Sequence, residues 1–376
     1  MRELELQKFI KANDNWKDLL RNPPYNISVR ENNKLILLKY SQINSDFTLP
    51  IVRECRGIIV DNSGKVVCYP FDKFFNLHEP FADEIDWESA KVQEKLDGSI
   101  IKLFFYEDEW RLATNGTIDA YQAYLTLDEE LLNTLPYKTY GELFDVAKHI
   151  QGLDYNILDK KYTYIFELVS PYTRVVVPYA TTKIYHIGTR NNITFEELTI
   201  DIGIEHPQEY YFKDARDCIK MCASLMDDKE GYVVVDKYYK RVKIKNPKYV
   251  IYHAIKNNGV ITPKSFINYI RENEIMELLC YFPEFKVEID KYKRCIEDFI
   301  NYLRKETSIL RNMTFDTQKD FALYIKDKIG SGYFFSWKKN NALDPYTWLW
   351  SMSDGNIVDM LEAFTKSKEK NLIQIE

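Results

Sequence analysis

The chain has 376 residues and a mass of 44.7 kDa, which is long for one compact core and indicates two domains. Its composition is 45% hydrophobic and 29% charged with only 13 Gly and 13 Pro, which excludes collagen-like, low-complexity and broadly disordered proteins. The net charge of −6 argues against a protein that coats nucleic acid non-specifically, but leaves room for a local basic site.

The first residues, MRELELQKFIKAND, predict a charged amphipathic helix rather than a signal peptide, because no uninterrupted apolar stretch is present. No run of the chain approaches the roughly 18 apolar residues that a membrane span needs, so no membrane partner is expected. The six cysteines form no Cys-x-x-Cys pair. They predict reduced, mostly buried thiols in a cytoplasmic protein rather than a zinc site.

Apolar or alternating runs bounded by turn residues predict strands throughout the first two thirds of the chain. The predicted strands are Lys34–Tyr40, Arg56–Val60, Lys65–Tyr69, Ile100–Tyr106, Trp110–Thr114, Tyr162–Val169, Lys183–Ile187, Gly231–Val235 and Arg241–Ile244. Apolar residues at helical spacing predict intervening helices at Asp119–Leu132, Gly141–Ile150 and 213–227. This part of the chain therefore predicts a mixed α/β domain.

After Asn246-Pro247 the pattern becomes helical, and no strand-like alternation of any length recurs. The predicted helices are Lys264–Leu279, Phe285–Arg304, Asp316–Lys328 and Ile357–Lys368. We place a domain boundary near 248–255. The predicted domains are therefore residues 1–250 and an all-helical domain of residues 251–376.

The most informative segment is Glu94-Lys95-Leu96-Asp97-Gly98-Ser99, which leads directly into a predicted strand. Alone, Asp-Gly between two strands indicates only a turn. Three further segments follow in order, each on or beside a predicted strand: Phe166-Glu167-Leu168-Val169, Glu230-Gly231-Tyr232-Val233-Val234 and Val242-Lys243-Ile244-Lys245. Strand alternation puts both lysines of the last segment on one face, where they suit an anionic target.

Together these segments supply what covalent nucleotidyl transfer requires. The nucleophile would be the amine of Lys95, and nearby cations or a bound metal favour loss of its proton. Cations also stabilise the charge that grows on the α-phosphate, while Glu167 and Glu230 are available to hold Mg²⁺ or ribose hydroxyls. Arg56 and Lys73 are candidates to bind the β- and γ-phosphates, although taken alone they are better interpreted as ordinary surface cations.

With Arg53-Glu54-Cys55-Arg56-Gly57-Ile58-Ile59 and Lys73-Phe74-Phe75-Asn76-Leu77 upstream, these segments resemble the ATP-dependent RNA ligases of the phage RNA ligase 1 family. That family lies within the covalent nucleotidyltransferase superfamily, and the resemblance covers about residues 34–250. It implies a mixed α/β nucleotidyltransferase domain, whose mainly antiparallel sheets form an ATP cleft, followed by a small all-helical accessory domain. The upstream segments favour this family over DNA ligases and capping enzymes.

The resemblance also implies roles for individual residues. Lys95 matches the lysine that becomes covalently adenylylated. The residues predicted to bind ATP are Glu94, Lys95, Arg56, Lys73, Gly98, Glu167, Lys243 and Lys245. The residues predicted to bind Mg²⁺ or Mn²⁺ are Glu167 and Glu230.

Two positions depart from the family. Asn115, within Thr114-Asn115-Gly116-Thr117, stands where the family often has a lysine, and Lys39 stands where the family has a tyrosine, with Tyr40 adjacent. The segment Lys183–Arg190 matches the adenine-binding wall, for which the candidates are Tyr185, His186 and Ile187. His186 is not placed among the catalytic residues, because a histidine in a strand more often belongs to the core or the surface.

The resulting prediction is an ATP-dependent RNA ligase that joins 3′-hydroxyl and 5′-phosphate RNA ends through a lysyl-AMP intermediate and an adenylylated 5′ end. A role in RNA repair follows, with nicked tRNA as one candidate substrate and an end-healing kinase or phosphatase as a candidate partner. We expect a cytoplasmic protein, or a phage protein that acts in the host cytoplasm. A basic strip is predicted to hold RNA: Lys237, Lys240, Arg241, Lys243, Lys245 and Lys248.

Two alternatives stay open at this point. One is a DNA ligase or a capping-type guanylyltransferase, which the helical pattern after the paired lysines disfavours. The other is a catalytically inactive RNA-binding or tRNA-sensing protein, which the complete set of charged motif residues disfavours.

Overall fold

The computed structural model describes residues 3–32, 34–42, 44–126, 129–173, 176–226, 229–250, 262–271, 275–281 and 283–373. The chain divides into two compact units, Met1–His253 and Ala254–Glu376. The boundary predicted near 248–255 falls partly on residues 251–261, which lie outside the described ranges. No helix within those ranges is long and apolar enough to cross a membrane.

The first unit is built on three sheets. Its strands are β1 (Ile27–Glu31), β2 (Leu35–Tyr40), β3 (Arg56–Asp61), β4 (Val66–Cys68), β5 (Phe75–Asn76), β6 (Lys91–Lys95), β7 (Ser99–Tyr106), β8 (Glu109–Thr114), β9 (Tyr162–Val169), β10 (Lys183–Asn191), β11 (Glu197–Leu198), β12 (Glu209–Tyr210), β13 (Gly231–Val235) and β14 (Arg241–Lys245).

The first sheet has the order β1-β2-β3-β4, the second β11-β10-β9-β7-β8 and the third β12-β6-β13-β14-β5. The recorded strand pairs are antiparallel except β14 with β5, which run parallel. β6 of the third sheet passes into β7 of the second sheet through Leu96-Asp97-Gly98, so the segment around Lys95 lies where two sheets meet.

The helices of the first unit cover these sheets. They include α1 (Glu5–Ala12), α2 (Trp16–Arg21), α3 (Pro50–Glu54), α4 (Glu129–Thr134), α5 (Tyr140–Gln151) and α6 (Ala215–Ala223). A capping box between Thr139 and Glu142 starts α5, and Gly152 in the left-handed conformation ends it, so its length follows from local sequence signals.

Each sheet buries a separate apolar cluster. Leu143 and Phe144 of α5 pack in the cluster of the second sheet, while Cys218 and Cys222 of α6 pack in that of the third. Another cluster combines residues of the first and second sheets: Leu35, Leu37, Ile59, Val67, Cys68, Phe104 and Ala113. The carboxylate of Glu54 accepts bonds from the first N–H groups of α1, which fastens that helix beside β3.

The second unit is helical over its described residues. Its helices are α7 (Pro263–Arg271), α8 (Ile275–Tyr281), α9 (Lys286–Arg311), α10 (Gln318–Ile325), α11 (Ser331–Lys339), α12 (Pro345–Trp350) and α13 (Asp354–Ile373). Phe299 and Leu303 of α9 are buried, as are Tyr333, Phe334 and Trp337 of α11, so these side chains form part of the core of this unit.

The predicted fold class is confirmed: a mixed α/β region with antiparallel sheets precedes a helical one. The helix predicted over Asp119–Leu132 is wrong for most of its described residues. There the chain forms one 3₁₀ turn at Ala120–Gln122, which the Asp119 side chain caps, and α4 begins only at Glu129. Residues 127–128 of that prediction, and 272–274 of the predicted helix Lys264–Leu279, lie outside the described residues.

Candidate active site

The amine of Lys95 lies in an ion pair at the end of β6. Its Nζ is 2.5 Å from Oε1 of Glu230, and the Glu230 side chain is only 6% exposed. Burial raises the pKa of Glu230, while Lys95 and Lys245 oppose that rise. The two residues are far apart in sequence, and the third sheet brings them together.

Strand register explains this proximity. Gly231 of β13 is paired on one side with Lys95 and on the other with Lys245, so the three residues lie side by side across three strands. Gly231 has φ +142, and a Cβ there would lie 2.2 Å from the carbonyl oxygen of Ile244. Only glycine allows this close approach, which places the preceding Glu230 between the two lysines.

Glu167 approaches the same place from the second sheet. Burial raises its pKa to about 7, with the nearby Glu230 adding to the rise. Lys95, Arg56 and the backbone N–H of Gly98 act in the opposite direction. At neutral pH this carboxyl is therefore close to half protonated, and it lies among the charged groups that the sequence motifs predicted.

Gly98 is required by packing against β9. A Cβ on it would lie 2.5 Å from the carbonyl oxygen of Leu168 and 3.0 Å from Cγ of Glu167. The glycine of this motif therefore lets the turn after Lys95 contact the strand that carries Glu167.

Asp97 of the same turn is a buried anchor. Its Oδ2 accepts hydrogen bonds from the N–H groups of Val176 and Val177 at 2.7 and 2.8 Å, and its Oδ1 accepts from the Tyr249 hydroxyl at 2.9 Å. The Asp97 N–H donates to the Tyr179 hydroxyl at 3.0 Å. These four bonds fix the turn, and hence the direction of Lys95.

Arg56 begins β3 and acts electrostatically on Glu167. Its guanidinium lies 5.0 Å from the ring centroid of Phe74. Its Nη1 is buried and has no hydrogen-bond acceptor among the described residues. A buried donor without an acceptor is costly, so this group suits an anionic ligand such as phosphate.

Lys73 contacts a different set of side chains. Its Nζ lies 5.5 Å from the ring centroid of Tyr40 and 5.3 Å from those of Phe47 and Phe75, and 3.4 Å from Oε1 of Gln42. Three aromatic rings thus surround this ammonium group. Sequence reasoning missed that environment, because Tyr40 and Phe47 lie far from Lys73 in the chain.

The predicted basic strip is wrong for Arg241. Strand alternation does put Arg241 on the same face as Lys243 and Lys245, but its side chain is buried there. Its Nη2 lies 2.5 Å from Oε1 of Glu197, and its guanidinium lies 4.1 Å from the ring of Phe71. Strand alternation could not show that Glu197 and Phe71 enclose the Arg241 side chain at this end of β14.

Glu94, next to the candidate nucleophile, pairs with a residue that the motifs did not include. Its Oε1 is 2.6 Å from Nζ of Lys229. Tyr185 of β10 is paired with Glu167, and Glu94 and Lys229 both influence its pKa, which burial raises. Tyr185 therefore lies close to the predicted nucleotide-binding residues, as a wall residue would.

His186, the next residue of β10, belongs to the core. It is 1% exposed, and burial together with His206 lowers its pKa to about 4. Its Nε2 lies 2.8 Å from the Thr189 hydroxyl. Asn115, which stands in place of the family lysine, has a buried Oδ1 with no partner among the described residues.

Asn246 is a further residue that sequence reasoning did not assign. Its Nδ2 donates to the carbonyl oxygens of Met226 and Lys229, and its N–H donates to that of Glu230. These bonds hold in place the segment that carries Glu230. Its only sequence signal was its position directly after the paired lysines.

The residues present fit a nucleoside triphosphate with a divalent cation. The unsatisfied N–H of Arg56 suits a phosphate oxygen, and the carboxylates of Glu167 and Glu230 are the oxygen ligands that Mg²⁺ prefers. Within the described residues, no group of three or more His, Cys, Asp or Glu side chains forms a metal site. Mg²⁺ is commonly held by one or two carboxylates together with substrate phosphates.

Comparison with known proteins places these residues in a family. The family model described as RNA ligase matches residues 54–249, which is about half of the chain and includes every predicted site residue. RNA ligase of Rhodothermus phage RM378 is 28% identical over 358 residues, covering 75% of this chain and 80% of that protein.

A protein of Autographa californica nuclear polyhedrosis virus, provisionally named a bifunctional polynucleotide kinase/RNA ligase, is 28% identical over 306 residues. This match covers 77% of the present chain and 43% of the viral protein, so the chain spans less than half of that relative's length. Among solved structures, an archaeal ATP-dependent RNA ligase matches 71% of the chain at 12% identity, with a TM-score of 0.41. The family assignment rests on the sequence matches.

Proposed function

This chain belongs to the RNA ligase family, and we propose that it is an ATP-dependent ligase that joins 3′-hydroxyl and 5′-phosphate RNA ends through a covalent lysyl-AMP at Lys95. The observation that carries the proposal is the ion pair of the Lys95 amine with buried Glu230, beside Glu167 and Lys245. A lysine amine held at a fixed place among carboxylates and cations is what nucleotidyl transfer to an amine requires.

In the first step, Nζ of Lys95 attacks the α-phosphorus of ATP, a P–N bond forms, and the bond to the pyrophosphate oxygen breaks. Glu230, whose Oε1 lies 2.5 Å from that nitrogen, is placed to take the proton. Its pKa is raised by burial, which makes its carboxylate a stronger base than one in water. Arg56 and Lys245 would neutralise charge on the phosphates.

The next two steps use the same groups. The AMP passes from Lys95 to a 5′-phosphate RNA end, and a 3′-hydroxyl then attacks that end and expels AMP. Both steps depend mainly on positioning and charge neutralisation, since AMP is already a good leaving group. Bound Mg²⁺ or Mn²⁺, held by Glu167 and Glu230, would supply further stabilisation of phosphate charge.

We also propose a substrate and a cellular setting for this reaction. RNA with a 5′-phosphate and a 3′-hydroxyl is the proposed partner, with nicked tRNA as a candidate, in RNA repair in the cytoplasm of a cell or an infected host. The name of the baculovirus relative, which pairs polynucleotide kinase with RNA ligase, supports a partnership with an end-healing enzyme.

The test is covalent labelling. The full chain is incubated with ATP labelled at the α-phosphate and Mg²⁺, denatured, and examined for label that stays on the protein. We expect label from ATP, and none in the Lys95→Ala variant, because the P–N bond has no amine from which to form. Lys8→Ala, which removes an exposed lysine of the same unit that pairs with Glu5, is the control and should label normally.

The other outcomes separate the alternatives. Label from GTP alone would indicate a capping-type guanylyltransferase, and label from neither nucleotide would indicate a catalytically inactive RNA-binding protein. Sealing of nicked duplex DNA in preference to single-stranded RNA would indicate a DNA ligase. Undiminished labelling of Lys95→Ala would mean that a different residue is the nucleophile.

A further inference from the structure

A β-bulge lies directly beside Arg56. In the pairing of β2 with β3, Leu38 is paired with Ile58 and Lys39 with Arg56, so Gly57 is an extra residue. Its φ of +84 is the left-handed conformation that glycine adopts without strain in such bulges. The bulge removes the Gly57 carbonyl from the regular ladder, and a buried carbonyl in that position needs another donor.

That donor is Lys102 of β7. Its side chain is 0% exposed, and its Nζ donates a hydrogen bond to the carbonyl oxygen of Gly57. A fully buried lysine is rare unless it has a specific partner. Burial, with Lys39 and Arg56 nearby, lowers its pKa to about 8. The group therefore stays mainly protonated at neutral pH, although it is enclosed by protein.

The lysine enters an otherwise apolar layer. On its face of the second sheet, Phe104 lies two residues away along β7, and Ala113 and Ile165 are its paired neighbours. An apolar side chain would suit this layer better than an ammonium group does. The hydrogen bond to the bulge carbonyl is therefore the feature that accounts for a lysine here.

The Gly57 bulge lies beside residues of the candidate active site. A Cβ on Gly57 would lie 2.8 Å from the backbone oxygen of Asn115 and 3.1 Å from Nζ of Lys102, so three segments meet at this glycine. Arg56 is its neighbour in sequence. Glu167 is paired with Ile100, which lies on the same face of β7 as Lys102. A shift of the Gly57 peptide would therefore move Arg56 relative to Glu167.

We propose that Lys102 is a positioning residue, which holds the Gly57 bulge so that Arg56 points at the triphosphate of ATP. The proposal rests on the proposed function, since it assigns a ligand to Arg56.

The test is a double-mutant cycle on covalent labelling with ATP. Lys102→Met keeps a long side chain and removes the amine, and Arg56→Gln removes the guanidinium. We expect Lys102→Met to lower kcat/KM for ATP at least tenfold, mostly through a higher KM. Added to Arg56→Gln, it should cost less than a further twofold, because the residue acts through Arg56. Lys34→Met, at an exposed lysine that pairs with Glu107, is the matched control.

Each outcome decides the matter. Reductions that multiply in the double variant, or an unchanged KM in Lys102→Met, would overturn the positioning role. If Lys102→Met is insoluble, Lys102→Leu, which also lacks an N–H donor, takes its place in the same cycle with the same criteria. Absence of label in the unaltered protein would refute the proposed function itself, whereas normal label there with an unaffected Lys102 variant would refute only this inference.

Discussion

Glu167 is held in the folded protein at a cost to stability. Its pKa of about 7, against an ordinary value of 4.5, means that the carboxyl keeps its proton in the folded state at pH values where the unfolded chain has lost it. The folded state is therefore progressively destabilised relative to the unfolded state as the pH rises from about 4.5 to about 7. Above that range the penalty is complete, and it amounts to about 3 kcal/mol.

Glu167→Gln should remove this penalty together with the metal-binding carboxylate. We expect the variant to be more stable than the unaltered protein at pH 8, by up to about 3 kcal/mol, and to lose most of this advantage at pH 5. Covalent labelling with ATP should fall at least a hundredfold. Urea unfolding at the two pH values, followed with a probe in the first unit, measures the difference.

An equal stability change at both pH values would show that the carboxyl does not titrate abnormally.

In the unaltered protein, kcat/KM for labelling should rise with pH through about 7, because the ionised form of Glu167 is the one that can bind a cation. A flat profile across that range would contradict its role as a metal ligand.

At the level of elements, the close approach of β6, β13 and β14 depends on Gly231. Gly231→Ala would bring a Cβ within 2.2 Å of the Ile244 carbonyl oxygen, so the strands must separate. We expect a loss of stability of at least about 2 kcal/mol and no covalent label. Gly203→Ala is the matched control, since Gly203 also has positive φ but has no atom within 4 Å of the added Cβ.

Gly203→Ala should cost about 1 kcal/mol from backbone strain alone and should label normally. Thermal unfolding and labelling of the two variants, compared side by side, separate the effect of strain from the effect of strand spacing. Normal labelling of Gly231→Ala would mean that the pairing of Lys95 with Gly231 is not needed for the chemistry.

The elements that carry clear patterns could be predicted from the sequence. Tyr162–Val169 and Gly231–Val235 are apolar runs, and both strands form with the predicted bounds. Lys91–Lys95, with the sequence KVQEK, was missed because it is mostly polar and has only one apolar residue facing the core. The sequence therefore indicated the motif around Lys95 but did not predict the strand that carries Lys95.

The site residues also divide into those that the sequence indicated and those that it could not indicate. Motif spacing indicated Lys95, Glu167 and Glu230, since the chemistry requires those side chains. It could not indicate Lys102 or Asn246, because their partners are backbone carbonyls whose positions follow from sheet register and loop packing. Such contacts leave no periodic signal in a single sequence.

For the whole molecule, we propose that residues 1–250 form the adenylyltransferase domain and residues 251–376 a helical accessory domain. The apolar clusters described beneath the three sheets consist entirely of residues of the first unit. We therefore expect a fragment of residues 1–253 to fold and to form the covalent adduct with ATP at a rate within about fivefold of the full chain, because the candidate site contains only residues of this unit.

We propose that the helical domain contributes to RNA substrate choice. The fragment should therefore seal RNA ends less well than the full chain while it labels normally. A folded fragment that takes no label would show that the second unit is required for nucleotide transfer and would contradict the proposed division of labour.

The separate cores have a consequence for how this protein is denatured in the laboratory. Multidomain chains depart from all-or-none melting, and then a single midpoint has no defined meaning. Tryptophan fluorescence would report the unfolding of both units at once, because Trp16 and Trp110 lie in the first unit while Trp337 and Trp350 lie in the second. In scanning calorimetry, each unit that unfolds cooperatively absorbs heat at its own temperature. This method can therefore assign a change in melting to the first unit.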